Sequence, residues 1–209
     1  MAATLHIPYL PAYHQQSSAE ELALALDELS PQVLAYSPWQ ELQHRPEVSF
    51  VIAYGEGAIF LKYFVKEKTL RSTYVQPNDP VYNDSCVEFF IGFNGEENYY
   101  NLEFNCAGTC LAGFGSGKER QLLPAKDILK IKHRSVIRNL SAVQWELTLV
   151  IPAEVFIHHR FSTFRNLKAR GNFFKCGDGL PEPHYLTWNH ILSPYPEFHL
   201  KEFFGEFVF

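Results

Sequence analysis

Along most of this chain apolar and polar residues alternate with a period of two, the spacing that sends successive side chains to opposite faces of a strand. Residues 48–54 and 59–66 carry that pattern, and Gly55-Glu56-Gly57 between them supplies the turn of a hairpin. Residues 86–93 and 99–106 form a second pair across Asn94-Gly95-Glu96-Glu97-Asn98. Residues 128–137, 143–151 and the closing 203–209 add three more predicted strands. One segment follows a different period. In residues 18–29, Leu22, Leu26 and Leu29 recur at helical spacing, Ser18 can cap, and Glu20 and Glu21 suit a positive first turn. Pro31 ends that helix, and Pro152 opens a single helical turn over 153–156. Short strands separated by Gly- and Pro-bearing turns predict an all-β fold, an antiparallel β-sandwich of immunoglobulin or jelly-roll type with one short N-terminal helix.

The hairpin 86–106 has a readable register. Val87, Phe89, Ile91 and Phe93 share one face, and Tyr100, Leu102 and Phe104 must lie with them, because a slip of one residue would turn every apolar side chain outward. That register gathers Glu88, Asn101, Glu103 and Asn105 on the other face. Such a polar row is either a solvated sheet surface or a binding face. Two long segments without a strand pattern, 67–85 and 175–201, are rich in Tyr, Trp, His and Asn. Loops of that length in a compact domain are usually functional or disordered, and this composition favours function.

Length and charge narrow the choice. At about 150 residues per domain, 209 residues make one domain, 1–209, in which 1–45 is the helix and its lead-in. A net charge of −5 argues against nucleic acid as a partner, since affinity for phosphates needs a basic surface. No apolar run is long enough to cross a membrane as a helix. Met1-Ala-Ala-Thr-Leu-His-Ile-Pro8 lacks a basic segment followed by an apolar one, so the expectation is a cytoplasmic chain with four thiols. A chain from which a leader had been removed would be extracytoplasmic instead. Aromatic residues make up 15% of the chain, which favours pleated surfaces.

Several motifs together resemble the family 9 carbohydrate-binding modules. They are Pro80-Val-Tyr82-Asn-Asp-Ser-Cys-Val-Glu88-Phe-Phe-Ile91, Tyr99-Tyr-Asn101-Leu-Glu103-Phe-Asn105, Gly171-Asn172-Phe-Phe-Lys175-Cys-Gly-Asp178, Tyr185-Leu-Thr-Trp188-Asn189, and Phe198-His-Leu-Lys-Glu-Phe-Phe-Gly205-Glu-Phe-Val-Phe209. As an ordered set they cover the chain from about Val48 onward and look most like the stand-alone family 9-like proteins of the DOMON-like superfamily. The resemblance implies a sandwich that holds a terminal sugar of a mono- or oligosaccharide between two aromatic rings while polar groups read its hydroxyls. Tyr82 stands six residues before Glu88, where the xylanase-linked modules have Trp, and Trp188 matches the second ring. Glu88 and Asn101 match the polar pair on the two strands, although the xylanase-linked modules have Arg at the second position. Glu103, Asn172 and Lys175 fall where further hydrogen-bonding groups are placed. Physical chemistry agrees with that assignment: a ring covers the C–H face of a pyranose, and Asn, Glu and Lys take its rim. Two rings and a few solvent-competed hydrogen bonds give a Kd between roughly mM and µM.

Other chemistries deserve comparison with that reading. Glu88 or Glu103 with Asp178 are candidates for the two carboxyls of a glycoside hydrolase of carbohydrate catabolism. Aromatic loops could equally dock a protein partner. The family often carries a structural calcium, for which Asp79 and Asp84 are candidates, and no other cofactor is expected. Cys106-x3-Cys110 with Cys86 and Cys176 would make a four-thiolate site, but the register puts Cys86 and Cys106 on opposite faces. Gly113-Phe-Gly115-Ser-Gly117-Lys118 follows a strand with no helix after it, which excludes a phosphate-binding loop.

Overall fold

The structure is a computed structural model in which residues 3–39, 41–42, 44–117, 119–139, 141–161 and 163–209 are described. Its strands run in chain order β1 (Thr4–His6), β2 (Tyr9–His14), β3 (Gln32–Val33), β4 (Glu47–Glu56), β5 (Ala58–Glu67), β6 (Cys86–Phe93) and β7 (Tyr99–Asn105). They continue as β8 (Cys110–Ser116), β9 (Glu119–Leu122), β10 (Lys132–Asn139), β11 (Val143–Pro152), β12 (Lys168–Cys176), β13 (Tyr185–Thr187) and β14 (Gly205–Val208). Two helices interrupt them, α1 (Ala19–Asp27) and the single turn α2 (Ala125–Ile128). One sheet has the order β1-β14-β12-β6-β7-β8-β9, with β13 beside β12; the other has β10-β11-β5-β4-β2, with β3 beside β4. The expected β-sandwich is therefore what forms.

The register follows the alternation. Inward-facing Phe89, Leu102 and Phe173 of the first sheet meet Phe50, Leu61, Tyr63 and Leu149 of the second in one apolar cluster. Phe50 stacks on Phe173 at 3.7 Å between ring centroids, locking the sheets face to face. The hairpin turns use the residues such turns demand: Asn94 and Gly95 both take positive φ, at 53° and 75°. Helix α1 starts with a full capping box, Ser18 and Glu21 each serving the other's backbone, and lays Leu22 and Leu26 on Ala53, Phe60 and Val150.

Four expectations change. The first 45 residues supply β1, β2 and β3 besides the helix, and β1 and β2 enlist in different sheets. Ile128 belongs to α2, so the strand predicted from 128 begins at Lys132. Strands β8, β9 and β12 lie where no strand is expected, and the loop predicted over 175–201 contains β13 and runs into a 3-10 turn, Lys201–Phe203. Most consequential is the outer face of the first sheet, which is roofed rather than solvated. Phe198, Leu200, Phe203 and Phe204 from the C-terminal segment fold over Phe90, Tyr99 and Phe174, closing one end of that face and leaving the other as a cleft.

Candidate functional site

Strand pairing builds the floor of the cleft. Glu88 on β6 stands directly opposite Glu103 on β7, and Phe90 opposite Asn101. On the far side of β7, Gly113 of β8 faces Asn101, and a Cβ there would come within 2.8 Å of the Asn101 Oδ1. A glycine is what leaves room for that amide. On the other flank, Cys176 of β12 pairs with Cys86 of β6. Arg120 enters from β9. Walls come from loops: Tyr82 on the 3-10 turn Val81–Asn83, then Asp178, Tyr185 and Phe198. The resulting cleft holds about 590 Å³.

The loop carrying Tyr82 is held by a deliberate set of bonds. The buried Asp84 carboxylate accepts from the backbone N–H of Thr73 and Tyr74 and from the Asn105 amide, at 2.8, 3.0 and 3.0 Å. Its other oxygen pairs with the Arg71 guanidinium, which also donates to the Gly179 carbonyl. The Asp178 N–H donates to the Tyr82 carbonyl at 2.9 Å, so the two rims of the cleft are tied together through backbone. Asp79 accepts from the N–H groups of Val75 and Gln76. Both aspartates considered for calcium thus act as acceptors for the loop's own donors.

Burial dominates the electrostatics. Glu103 is 5% exposed, and desolvation pushes its carboxyl up to about 7, against the opposing pull of the Asn101 amide and Arg120. Glu88 is raised well above the carboxylate range by burial, with the Cys176 thiol and Glu103 adding to the effect. Its Oε1 accepts from the Cys176 Sγ at 3.0 Å. Asp178 at the rim is also raised, again by burial, while the Tyr185 hydroxyl pulls it back. The Asn101 amide donates to the Glu103 Oε1 at 2.8 Å. Two acceptors on that floor, the Asn101 Oδ1 and the Glu103 Oε2, are buried with no protein donor. A buried acceptor without a donor costs about 1–3 kcal/mol, so a hydroxyl or amine reaching either oxygen would be stabilised there.

Of the residues singled out from sequence, Tyr82, Glu88, Asn101, Glu103 and Asp178 converge on the cleft, and Asn172, Lys175 and Trp188 do not. Trp188 is 7% exposed and packs edge-on against Phe50 and Phe173 in the core between the sheets, so its ring cannot wall the cleft. Asn172 is fully buried and holds the chain after β13, accepting from Asn189 N–H and donating to the Asn189 carbonyl. Lys175 points between the sheets, where its ammonium meets the Glu67 Oε2 at 3.0 Å and the His184 Nε2 at 2.8 Å. The rings at the cleft are instead Tyr82, Tyr185 and Phe198, and its guanidinium is Arg120. Tyr185 and Phe198 sit inside the recognised motifs, whereas Arg120 follows a glycine-rich stretch with no signal of its own. A larger hollow of about 730 Å³ lies beside β3 and the ends of β4, β5 and β11. None of the described buried orphan polar atoms faces it, so the smaller cleft is the better candidate.

Comparison with known proteins gives the family and the fold. The model of carbohydrate-binding family 9 matches residues 18–209. A structure from Bacteroides uniformis ATCC 8492, for whose protein carbohydrate binding has been suggested, is 33% identical, covers 99% of both chains and superposes with a TM-score of 0.91. A family 9 module from Caldicellulosiruptor kristjanssonii in complex with glucose is 12% identical, covers 98% of this chain and 94% of its own, and has a TM-score of 0.62. The same module with cellotriose gives 12%, 98%, 92% and 0.62. At that identity the Caldicellulosiruptor module shares the fold alone. No curated protein matches the chain.

Proposed function

The chain belongs to carbohydrate-binding family 9, and on that premise we propose that the cleft on its outer sheet holds a sugar unit non-covalently. The observation that carries this reading is the pair of donorless buried oxygens, Asn101 Oδ1 and Glu103 Oε2, beneath an aromatic rim. Sugar hydroxyls are the donors that such acceptors lack. Arg120 supplies the charged donor that position 101 does not, from β9, two strands away. Tyr82, with 40% of its surface exposed, is the ring best placed to take the C–H face of a pyranose, and Tyr185 and Phe198 line the same cleft. Glucose and cellotriose, bound by the Caldicellulosiruptor module, are the first ligands to try.

Calorimetric titration with glucose, cellobiose and cellotriose tests the proposal. Saturable heat with a Kd between roughly mM and µM is expected. Tyr82→Ala and Glu103→Gln should each weaken binding by about tenfold, equivalent to about 1.4 kcal/mol for a lost ring contact or hydrogen bond. A flat response from folded protein across a wider sugar panel would overturn it.

One observation favours a second reading. Glu88, Glu103 and Asp178 line the same cleft, and the Glu103 carboxyl near 7 suits a proton donor at neutral pH. Hydrolysis of a bound glycoside, abolished in Glu103→Gln, would make the protein a hydrolase rather than a binding module.

A further inference from the structure

The cleft floor contains a second cluster beside the Asn101 and Glu103 acceptors, which shares Glu88 with the residues expected to read a sugar. Cys86 and Cys176 face each other across β6 and β12, and Glu88 lies beside Cys86 on the same face of β6. One ligand-type atom from each of the three, two Sγ and one carboxylate oxygen, fall within 4.8 Å of one another, and all three residues are buried. We propose that Cys86, Glu88 and Cys176 form a binding site for a thiophilic dication of the zinc class.

The geometry is close to what such an ion requires. Zinc–sulfur bonds of about 2.3 Å and zinc–oxygen bonds of about 2.0–2.2 Å place tetrahedral ligand atoms roughly 3.3–3.8 Å apart. Glu88 Oε1 and Cys176 Sγ, 3.0 Å apart, need to open by about half an ångström, and the remaining separations need to close by about an ångström at most. The donor set is selective: two sulfurs with one carboxylate favour zinc or cadmium over the oxygen-seeking calcium and magnesium. Its frame is rigid, since Cys86 and Glu88 are two residues apart on a central strand and Cys176 is hydrogen-bonded into the adjoining one. The site also has a way in. Glu88 and Cys176 line the open cleft, while Cys86 lies behind them, so three protein ligands occupy one side and the fourth position faces the cleft. Glu103, opposite Glu88 with its Oε2 donorless, stands where it can accept a hydrogen bond from a water or ligand in that fourth position.

Cadmium is the probe, titrated into the full chain with a phosphine reductant that keeps the opposed thiols from closing to a disulfide. Thiolate-to-cadmium charge-transfer absorption in the ultraviolet is expected to saturate at one equivalent, and zinc should compete it away. The double variant Cys106→Ser/Cys110→Ser should keep the band, since those thiols pack in the apolar core between the sheets. Cys176→Ser should lose at least half of it. Glu88→Gln should keep it but shift its titration to higher cadmium concentration. No band in the folded wild-type chain would overturn the proposal, and so would a band that vanishes in Cys106→Ser/Cys110→Ser but persists in Cys176→Ser. Neither result depends on whether a sugar binds.

Discussion

At position 103 a carboxylic acid has one oxygen held by the Asn101 amide and the other without a protein donor, on a floor with Glu88 directly opposite. Its ionisation is therefore linked to folding. The folded carboxyl sits near 7 against 4.5 when solvated, so between those values the folded chain holds a proton that the unfolded chain has released. Stability from this group accordingly falls as pH rises from about 4.5 through about 7. Urea unfolding across that window should show the decline, and Glu103→Gln, which cannot ionise, should make it shallower, leaving the part that the raised Glu88 and Asp178 carboxyls contribute. An equal slope in wild type and variant would place the linkage elsewhere. The same crowding explains why Glu88 is pushed so far up: burial removes water from a carboxyl whose nearest partner is a thiol rather than a cation.

Strand β12 shows how an element can be central and yet silent in the sequence. It lies between β14 and β6 with both faces covered, inward by the core around Phe173 and outward by the Phe198–Phe204 roof. A strand buried on both sides has no polar face, so Gly171-Asn172-Phe173-Phe174 offers no alternation to read. Its glycine is needed for another reason. A Cβ at Gly171 would lie 2.1 Å from the Phe90 carbonyl oxygen and 2.5 Å from the Phe207 ring, and neither can retreat from a central sheet position. Gly171→Ala is expected to destabilise the fold by about 1–3 kcal/mol, the usual cost of overpacking, and differential scanning calorimetry would register it as a lowered Tm. By contrast β6 and β7 carry Val87, Phe89, Tyr100 and Leu102 on their inner faces in strict alternation, so β6 was legible to the residue and β7 to within one.

Across the whole molecule the two sheets are joined by more than apolar packing. Lys175 leaves β12 inward and meets Glu67 at the end of β5, while the Glu67 Oε1 accepts from the Trp145 indole at 2.7 Å. His184 completes the group as a neutral imidazole, its pKa lowered to about 4 by burial and by the Lys175 charge. A buried pair of this kind is costly to break from one side, because the survivor is left charged in a dry place. Lys175→Ala should cost about 3–5 kcal/mol, and Lys175→Met combined with Glu67→Gln should recover much of that loss in urea unfolding. A small effect of Lys175→Ala would mean that water reaches the pair. Because this strut fixes where the segment after β12 departs, it also sets the course of the chain through Asp178 to Tyr185 along the cleft.

Alternation determined the sandwich class and the β4–β5 and β6–β7 hairpins, and helical spacing with a cap determined the helix, because each element depends on contacts within one turn or one strand pair. It also determined that Glu88, Asn101, Glu103 and Asn105 share a face, since register follows from the apolar set opposite them. Only the tertiary structure decided what that face became. Whether a polar row meets water or a roof depends on a segment some hundred residues further along the chain, and no local pattern encodes where Phe198 will land. The same distance dependence moved Trp188 from the expected sugar wall into the core, turned Lys175 from a ligand contact into a strut, and brought in Arg120 unannounced. Local chemistry is written in the order of residues; a site assembled from five separate segments is written only in their packing.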